Sequence, residues 1–147
     1  MKAAYITHPS FMRHEMGPHH PECPERLAAI SARLLLRGVL DVMDTFEAPA
    51  ATPEQIDRAH DMRHYYELQA AAPAEGYASL DPDTAMNPHT WTAALHAAGA
   101  LVLATELVAR GDYRRAFCAV RPPGHHATSG QAMGFCFFNN VAVGIRH

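Results

Sequence analysis

Two adjacent histidines, His125 and His126, are the residues in this chain best suited to do chemistry. They follow two prolines and a glycine in the segment 121–127, RPPGHHA. Proline fixes its own backbone and restricts the preceding residue, and Gly124 turns without a Cβ, so the loop is rigid. Adjacent side chains on extended backbone point in different directions. The pattern predicts a proton-transfer pair in which one imidazole accepts a proton while the other stays charged.

A second segment, 134–140 with the sequence GFCFFNN, follows after a short polar loop. Gly134 would let the backbone approach a ligand closely, and Phe135 could form one wall of an apolar slot. Packing in the core is the alternative interpretation of the three phenylalanines. Cys136 has no neighbouring base to make it a nucleophile.

The elements that must position these residues have the order of an α/β protein. The apolar run Ala116–Val120 predicts a buried parallel strand, and the histidine loop follows its carboxyl end. Active sites of open parallel sheets lie at that end of the strands. Residues 137–145 predict a helix, which places both candidate segments between one strand and one helix.

The remaining pattern predicts further strands and helices around a central parallel sheet. A proline or a capping residue opens several of the helices, as at Thr52 and Asp61. The predicted strands cover 2–7 and 39–46, the predicted helices cover 24–37, 53–59, 62–72 and 89–109, and 75–88 is predicted to be a loop. The last residues, 141–147, read as an apolar helix without a cap, so we expect the domain to continue beyond His147.

Composition excludes several classes of function. The chain has 147 residues and a net charge of −3, which offers no basic field for nucleic acid or an acidic membrane. Three dispersed cysteines without a CxxC pair favour the reducing cytoplasm. The first residues are too short an apolar run for a signal peptide. The apolar stretch 93–109 contains His96 and Glu106 and predicts a buried helix rather than a membrane span.

Eleven histidines are the most unusual feature of the composition. Isolated ones are expected to be structural or solvated, and these are His14, His60, His64, His89 and His96. A histidine-rich metal-storage or sensor protein is an alternative hypothesis, with ligands drawn from His8, His14, His19 and His20. The spacing of those four matches no tight ligand set.

The segments 121–127 and 134–140 together resemble the active-site segment of histone deacetylases and the related acetylpolyamine and acetoin-utilisation proteins. The likeness is greatest to class II-like bacterial members. Residues 19–27 (HHPECPERL) resemble the family's HPE-x-P-x-RL motif. Residues 83–88 (DTAMNP) and 94–99 (ALHAAG) resemble its D-T-x-x-x-P and A-L-x-A-A-G stretches.

This resemblance implies an arginase/deacetylase-like fold, a three-layer α/β architecture with a central parallel sheet. Residues 1–147 would be the N-terminal part of a single histone deacetylase domain. The implied reaction is zinc-dependent hydrolysis of the acetyl amide of acetyl-lysine or an acetylpolyamine. An amide needs an activated water, a polarised carbonyl and a proton for the leaving amine, which zinc and a histidine pair can supply.

The resemblance also implies roles for particular residues. His126 would be the general base and later the acid, and His125 its electrostatic partner. Gly134 would offer its carbonyl to the substrate amide, and Phe135 would line the channel. Two further residues complete the implied site: Asp83 as the rim carboxylate that orients the substrate backbone, and Arg26 near the exit for acetate.

The family's zinc ligands lie in an Asp-x-His segment and a later Asp, which we expect downstream of His147. The carboxylates that pair with the two histidines and the tyrosine that polarises the acetyl group are expected there too. The chain alone is therefore expected to be inactive and to bind no zinc. The alternative is a non-catalytic module that binds acyl-lysine without a metal.

Overall fold

A three-stranded parallel sheet lies at the centre of the computed structural model, which describes residues 3–147. β1 (Ala3–Thr7) is the middle strand, between β2 (Met43–Glu47) and β5 (Ala116–Cys118). Both pairings are parallel, so all three carboxyl ends lie at one edge. The predicted α/β class with a central parallel sheet is confirmed. Lys2, the first residue of the predicted strand, lies outside the described residues.

Helices cover both faces of this sheet. The Tyr5 hydroxyl lies 2.9 Å from Ser31 Oγ on α1 (Pro24–Leu36), and the Tyr5 ring stacks on Phe117. Cys118 is the next residue of β5 after Phe117, and its thiol contacts the Ala100 carbonyl of α4 (Thr90–Ala109) at 3.6 Å. Because successive side chains of a strand point to opposite faces, α1 and α4 form the two outer layers.

α4 is the helix that was predicted to be buried. It is long and apolar enough to cross a membrane, but half of its apolar stretch is buried inside the fold. It packs on the sheet and on α5 (Asn140–Ile145), where Thr105 Oγ1 donates to the Gly144 carbonyl at 3.2 Å. A packed core helix passes the same test of length and composition as a membrane span, and the predicted burial is observed for nine residues of α4.

Two short helices support the other side of α4. α2 (Pro53–Asp57) begins with a capping box in which Thr52 and Gln55 satisfy each other's backbone N–H. α3 (Met62–Ala71) begins at Asp61, whose carboxylate accepts from Arg63 N at 2.8 Å. Their apolar residues join a core cluster with residues after the histidine loop; its members include Ile56, Tyr65, Leu68, Phe137 and Phe138.

Some predicted boundaries differ from the structure. Residues 40–42 form a 3₁₀ turn, so β2 begins at Met43 rather than at residue 39. The helix expected from Phe137 begins at Asn140. Phe137 and Phe138 are fully buried in the core, and the Asn139 side chain caps the helix by accepting a hydrogen bond from Ala142 N. The periodicity of apolar residues alone cannot distinguish buried side chains of an irregular segment from the first turn of an apolar helix.

Two strand predictions also change. β5 ends at Cys118 rather than Val120, and Phe117 is 45% exposed because β5 pairs only with β1 among the described residues. The predicted loop 75–88 contains a two-stranded antiparallel pair, β3 (Ala78–Ser79) and β4 (Ala85–Met86). Strands of two residues are too short to produce an alternating pattern.

Candidate active site

An open cavity of about 810 Å³ lies where the chain leaves β5. The six residues predicted for the site all line it, together with five others. The complete lining is Arg26, Asp81, Pro82, Asp83, Pro123, His125, His126, Gln131, Met133, Gly134 and Phe135. The fold therefore brings together residues from α1, the β3–β4 connection and the segment after β5.

The two imidazoles of the pair lie side by side on the cavity wall. The ring centroids of His125 and His126 are 4.3 Å apart and the rings are tilted by 51°. Both residues are exposed to the cavity. Among residues 3–147, neither ring is hydrogen-bonded to another side chain, which leaves the ring nitrogens accessible for proton transfer.

The loop that carries the pair is wrapped closely around the start of α5. A Cβ at Gly124 would lie 2.5 Å from both Asn140 N and the Phe138 carbonyl, so only glycine permits this approach. The Asn140 amide donates to the Pro122 carbonyl at 3.3 Å, before the histidines. The Asn139 amide donates to the Ala127 carbonyl at 3.2 Å, directly after them. The loop is thus held on both sides of the pair.

Opposite the histidines, a tight turn presents Gly134 and Phe135. Met133 and Cys136 exchange two backbone hydrogen bonds of 3.0 Å. The two residues between them have φ of 57° and 70°, as a type I′ turn requires. Glycine adopts positive φ freely, whereas Phe135 does so at a cost of about 1 kcal/mol or more. A strained aromatic residue on a cavity wall indicates a functional constraint.

Gly134 also packs directly on the His126 ring, which gives a prediction. An added Cβ would lie 2.9 Å from His126 Cγ and Cδ2, at a φ of 57°. We expect Gly134→Ala to displace the ring and to lower stability by about 1 to 2 kcal/mol. Denaturant unfolding and the ring ¹H–¹³C signals of His126 measure both effects. Gly130→Ala is the matched control, since a Cβ there meets nothing within 4 Å; equal effects of the two changes would contradict the prediction.

The rim residue Asp83 is linked to the Phe135 turn through Thr84. Thr84 Oγ1 donates to Asp83 Oδ1 at 3.2 Å and accepts from Phe135 N at 3.0 Å. His20 adds a second link, because its ring packs edge-on against Phe135 with centroids 4.7 Å apart. The His20 Nε2 atom lies 3.1 Å from the Asp83 carbonyl. These contacts therefore hold the Asp83 carboxylate and the Phe135 ring in fixed positions relative to each other.

A buried ion pair lies beneath the histidine loop. Arg121 Nε and Nη2 donate to the two carboxylate oxygens of Glu22 at 2.6 and 2.7 Å. Arg121 also donates to the Phe11 carbonyl. His14 Nε2 lies 3.3 Å from Glu22 Oε2 but is too poorly aligned for a full hydrogen bond, and it is the one such unpaired buried side-chain atom among the described residues. Glu22 thereby anchors the residue immediately before Pro122.

The charges of this cluster are set by their surroundings. Burial alone would raise the pKa of Glu22, but the contacts with His14 and Arg121 outweigh it and lower the pKa from 4.5 to about 2. Burial lowers the pKa of His14, against the opposing effect of Glu22. The cluster at neutral pH is therefore a Glu22–Arg121 ion pair beside an uncharged histidine.

Two histidines at the junction of α2 and α3 contact the segment that follows the pair. His60 Nε2 accepts from Asn139 N at 2.9 Å, and His60 Nδ1 lies 3.2 Å from the Ser129 carbonyl. His64 Nε2 lies 2.8 Å from the Phe137 carbonyl. Both histidines are buried, as the expectation of structural roles requires. Burial lowers the pKa of His60, and the neighbouring His64 lowers it further.

Cys136 lies directly behind the turn and is fully buried. Its thiol donates to the Gly134 carbonyl at 3.3 Å, the same carbonyl that was predicted to meet the substrate. Burial raises the pKa of Cys136, so the thiol stays protonated. The prediction that Cys136 is not a nucleophile agrees with this environment.

Arg26 lies between the main cavity and a smaller one. The second cavity, of about 140 Å³, is lined by Glu22, Arg26, Leu27, Ile30, Val120, Arg121 and Pro123. Arg26 borders both spaces, and its guanidinium is a suitable partner for a small carboxylate. The geometry is compatible with the predicted position near an acetate exit.

Within 3–147, no group of three or more His, Cys, Asp or Glu side chains is arranged to hold a metal ion. The histidine-rich loop, which includes His8, His14 and His19, supplies no such group either. His8 instead stacks on His96, with ring centroids 3.6 Å apart.

Several residues that hold the site were not predicted individually. Glu22 and Thr84 lie inside motifs that resemble the family but were assigned no role, and His20 was considered only as a candidate metal ligand. His60 carried no signal beyond its residue type. Its partners, Ser129 and Asn139, are 69 and 79 residues away in the sequence.

The comparisons with known proteins agree with this architecture. The family model described as the histone deacetylase domain matches residues 20–147. A histone deacetylase-like amidohydrolase of Pseudomonas aeruginosa is 36% identical over 126 residues, which cover 86% of this chain and 33% of that protein. Histone deacetylase 5 of Arabidopsis thaliana is 34% identical over 150 residues, covering 97% of this chain and 23% of that protein.

The crystal structure of the HDA15 HD domain has the same fold. It superposes with a TM-score of 0.93 at 31% identity and covers 98% of this chain. The match spans 42% of that chain. The chain therefore spans less than half the length of each of these three relatives.

Proposed function

Because the chain belongs to the histone deacetylase family, we propose that the whole protein hydrolyses the acetyl amide of acetyl-lysine or of an acetylpolyamine. The observation that carries this proposal is the adjacent pair His125 and His126 on the wall of an open cavity, facing the turn at Gly134 and Phe135. An amine is a poor leaving group, so amide hydrolysis needs groups that remove a proton from water and return one to the amine.

We assign proton transfer to the histidine pair. His126 takes the proton from the attacking water and later gives it to the departing amine, and His125 stabilises the charge that develops. Gly134 on the ring of His126 and Gly124 at the base of the loop fix the position of these imidazoles. A fixed base avoids reorganisation when the reaction occurs.

The remaining predicted residues are proposed to bind the substrate. Phe135 packs along the apolar stem of the acylated amine, and the Gly134 carbonyl accepts from the amide N–H. Asp83, connected to Phe135 through Thr84, accepts hydrogen bonds from the backbone or the second amine of the substrate. Arg26 attracts the acetate product toward the smaller cavity.

Zinc is proposed as the cofactor of the whole protein on the strength of the family. It would polarise the acetyl carbonyl and activate the water. No group of three or more His, Cys, Asp or Glu side chains within residues 3–147 is arranged to hold a metal ion, and we propose that its ligands lie in other parts of the domain. The 147-residue chain by itself is proposed to be inactive. The unpaired cysteines are compatible with a cytoplasmic location, which we also propose.

Acetate release by the intact protein tests the function. An acetyl-lysine peptide and N-acetylputrescine are supplied in parallel, with the unacetylated amines as controls. Hydrolysis of either substrate supports the proposal, and the ratio of the two kcat/KM values identifies the preferred class. Tight binding of the acetylated peptide without acetate release would replace the proposal by the non-catalytic acyl-lysine module.

A further inference from the structure

The contacts of His60 define which of its ring nitrogens carries the proton. A peptide N–H can only donate, so the 2.9 Å contact from Asn139 N requires an unprotonated Nε2. A peptide carbonyl can only accept, so the 3.2 Å contact with Ser129 O requires a proton on Nδ1. His60 is therefore a two-way bridge that functions in one neutral tautomer. The lowered pKa of the ring favours that neutral form.

The two ends of this bridge lie on the segment that surrounds the cavity. Ser129 lies three positions after His126, and its carbonyl also accepts from Asp61 N at 2.8 Å. Asn139 caps α5 and, through its amide, binds the carbonyl of Ala127, the residue next to His126. A shift of either end would be transmitted directly to the histidine pair.

His64, one helical turn further, strengthens the same attachment. Its Nε2 donates to the Phe137 carbonyl at 2.8 Å. The rings of His60 and His64 lie 5.4 Å apart, and Phe138 packs edge-on against both at 5.5 and 5.8 Å. The junction of α2 and α3 thus holds residues 129–139 at three backbone points, the Ser129 carbonyl, the Phe137 carbonyl and the Asn139 N–H.

From this geometry we propose that His60 is a positioning residue for the catalytic pair. It acts through the Ser129 carbonyl and the Asn139 N–H, which set the place of His125 and His126 relative to the Gly134–Phe135 turn. The inference rests on the proposed deacetylase function for its kinetic consequence, but the bridge itself is a structural property. His60 touches neither the cavity nor the substrate.

Three substitutions of His60 distinguish the effect of its two hydrogen bonds from the effect of its ring packing against Phe138. His60→Phe keeps an aromatic ring against Phe138 and removes both hydrogen bonds. His60→Gln keeps an acceptor for Asn139 N, and His60→Asn keeps a donor for the Ser129 carbonyl. His96→Phe is the control, because His96, which is partly buried, likewise contacts a backbone carbonyl, that of Ala48 at 2.7 Å, but lies outside the cavity lining.

In the intact protein, we expect His60→Phe to lower kcat on the order of 100-fold with little change in KM, since a misplacement of about 1 Å costs that much. His60→Gln should recover most of the loss, and His96→Phe should match the wild type. A His60→Phe enzyme as active as His96→Phe would overturn the proposal. Thermal melts identify any variant that fails to fold. If His60→Phe does not fold, the kcat values of His60→Gln and His60→Asn test the proposal in its place.

Nuclear magnetic resonance of ¹⁵N-histidine-labelled protein tests the bridge without relying on activity. We expect a protonated Nδ1 and an unprotonated Nε2 for His60, and displaced ring signals of His125 and His126 in His60→Phe. A protonated Nε2, or unchanged signals of the pair, would overturn the positioning role. If the wild-type protein releases no acetate but these signals behave as expected, the proposed function fails while the bridge stands.

Discussion

Replacement of His126 by alanine is expected to lower kcat for deacetylation by about 10² to 10⁴-fold in the intact protein, as loss of a general base usually does. The imidazole lies on the cavity wall beside His125 and is held there by the Gly134 turn. Among the described residues, no other side chain occupies that position. The measurement is acetate release from the better of the two substrates under saturating conditions.

The matched control is His89→Ala, which removes a histidine outside the cavity lining. We expect its kcat to stay near that of the wild type, and both variants to retain the metal content of the unmodified protein. Near-normal turnover by His126→Ala would refute the assignment of the base. A loss of bound metal in that variant would mean that His126 has a different role.

The largest effect on stability is expected from Glu22→Gln. Glu22 and Arg121 are both almost fully buried, and the substitution leaves the guanidinium with an uncharged partner. Removing one member of a buried ion pair typically costs about 3 to 5 kcal/mol, because the other charge stays desolvated. Chemical denaturation of the intact protein measures the change. Glu25→Gln, an exposed neighbour on α1, should leave the unfolding midpoint nearly unchanged.

The same pair predicts how stability depends on pH. The pKa of Glu22 is lowered from 4.5 to about 2 in the folded protein, so the unfolded chain binds the proton more readily. The stabilisation, equivalent to about 3 kcal/mol, is present above the unfolded pKa and is lost as the pH falls from 4.5 towards 2. The difference in unfolding free energy between wild type and Glu22→Gln should shrink in that window. A constant difference would contradict the lowered pKa.

His14 and His60 also make the stability of the folded protein fall with falling pH, but they do so at a higher pH than Glu22. Burial lowers the pKa of each below 6.5 in the folded protein, so the unfolded chain takes up their protons first. Their contribution to stability is therefore complete above 6.5 and decreases as the pH falls below that value.

The elements of the fold were largely predictable because their signals are local. Pro24, Thr52 and Asp61 begin helices as their residue types predict. The apolar run at 116–118 forms the predicted parallel strand. Errors arose where tertiary packing decides, as at Phe137 and Phe138, which are buried as plugs instead of forming the first turn of α5.

The site was predictable to the extent that motifs mark it. The six predicted residues line one cavity, while their chemical roles stay predictions. The residues that hold the cavity together were harder to predict, because their partners are distant in sequence. Glu22 and Arg121 are 99 residues apart, and His14 and Thr90 are 76 apart. Side-chain types in a single sequence do not reveal such pairings.

The position of β1 at the centre of the sheet has a consequence for synthesis on the ribosome. β1 and β2 can pair early in synthesis. β5, which pairs with the other edge of β1, spans residues 116–118 and is made about 110 residues after β1 at 3–7. The Glu22 carboxylate likewise waits for Arg121 before it can be buried as an ion pair. A nascent chain that has not reached β5 would expose one edge of β1 and leave the Glu22 carboxylate without its partner, so we expect aggregation to compete with folding until residues 116–121 are made.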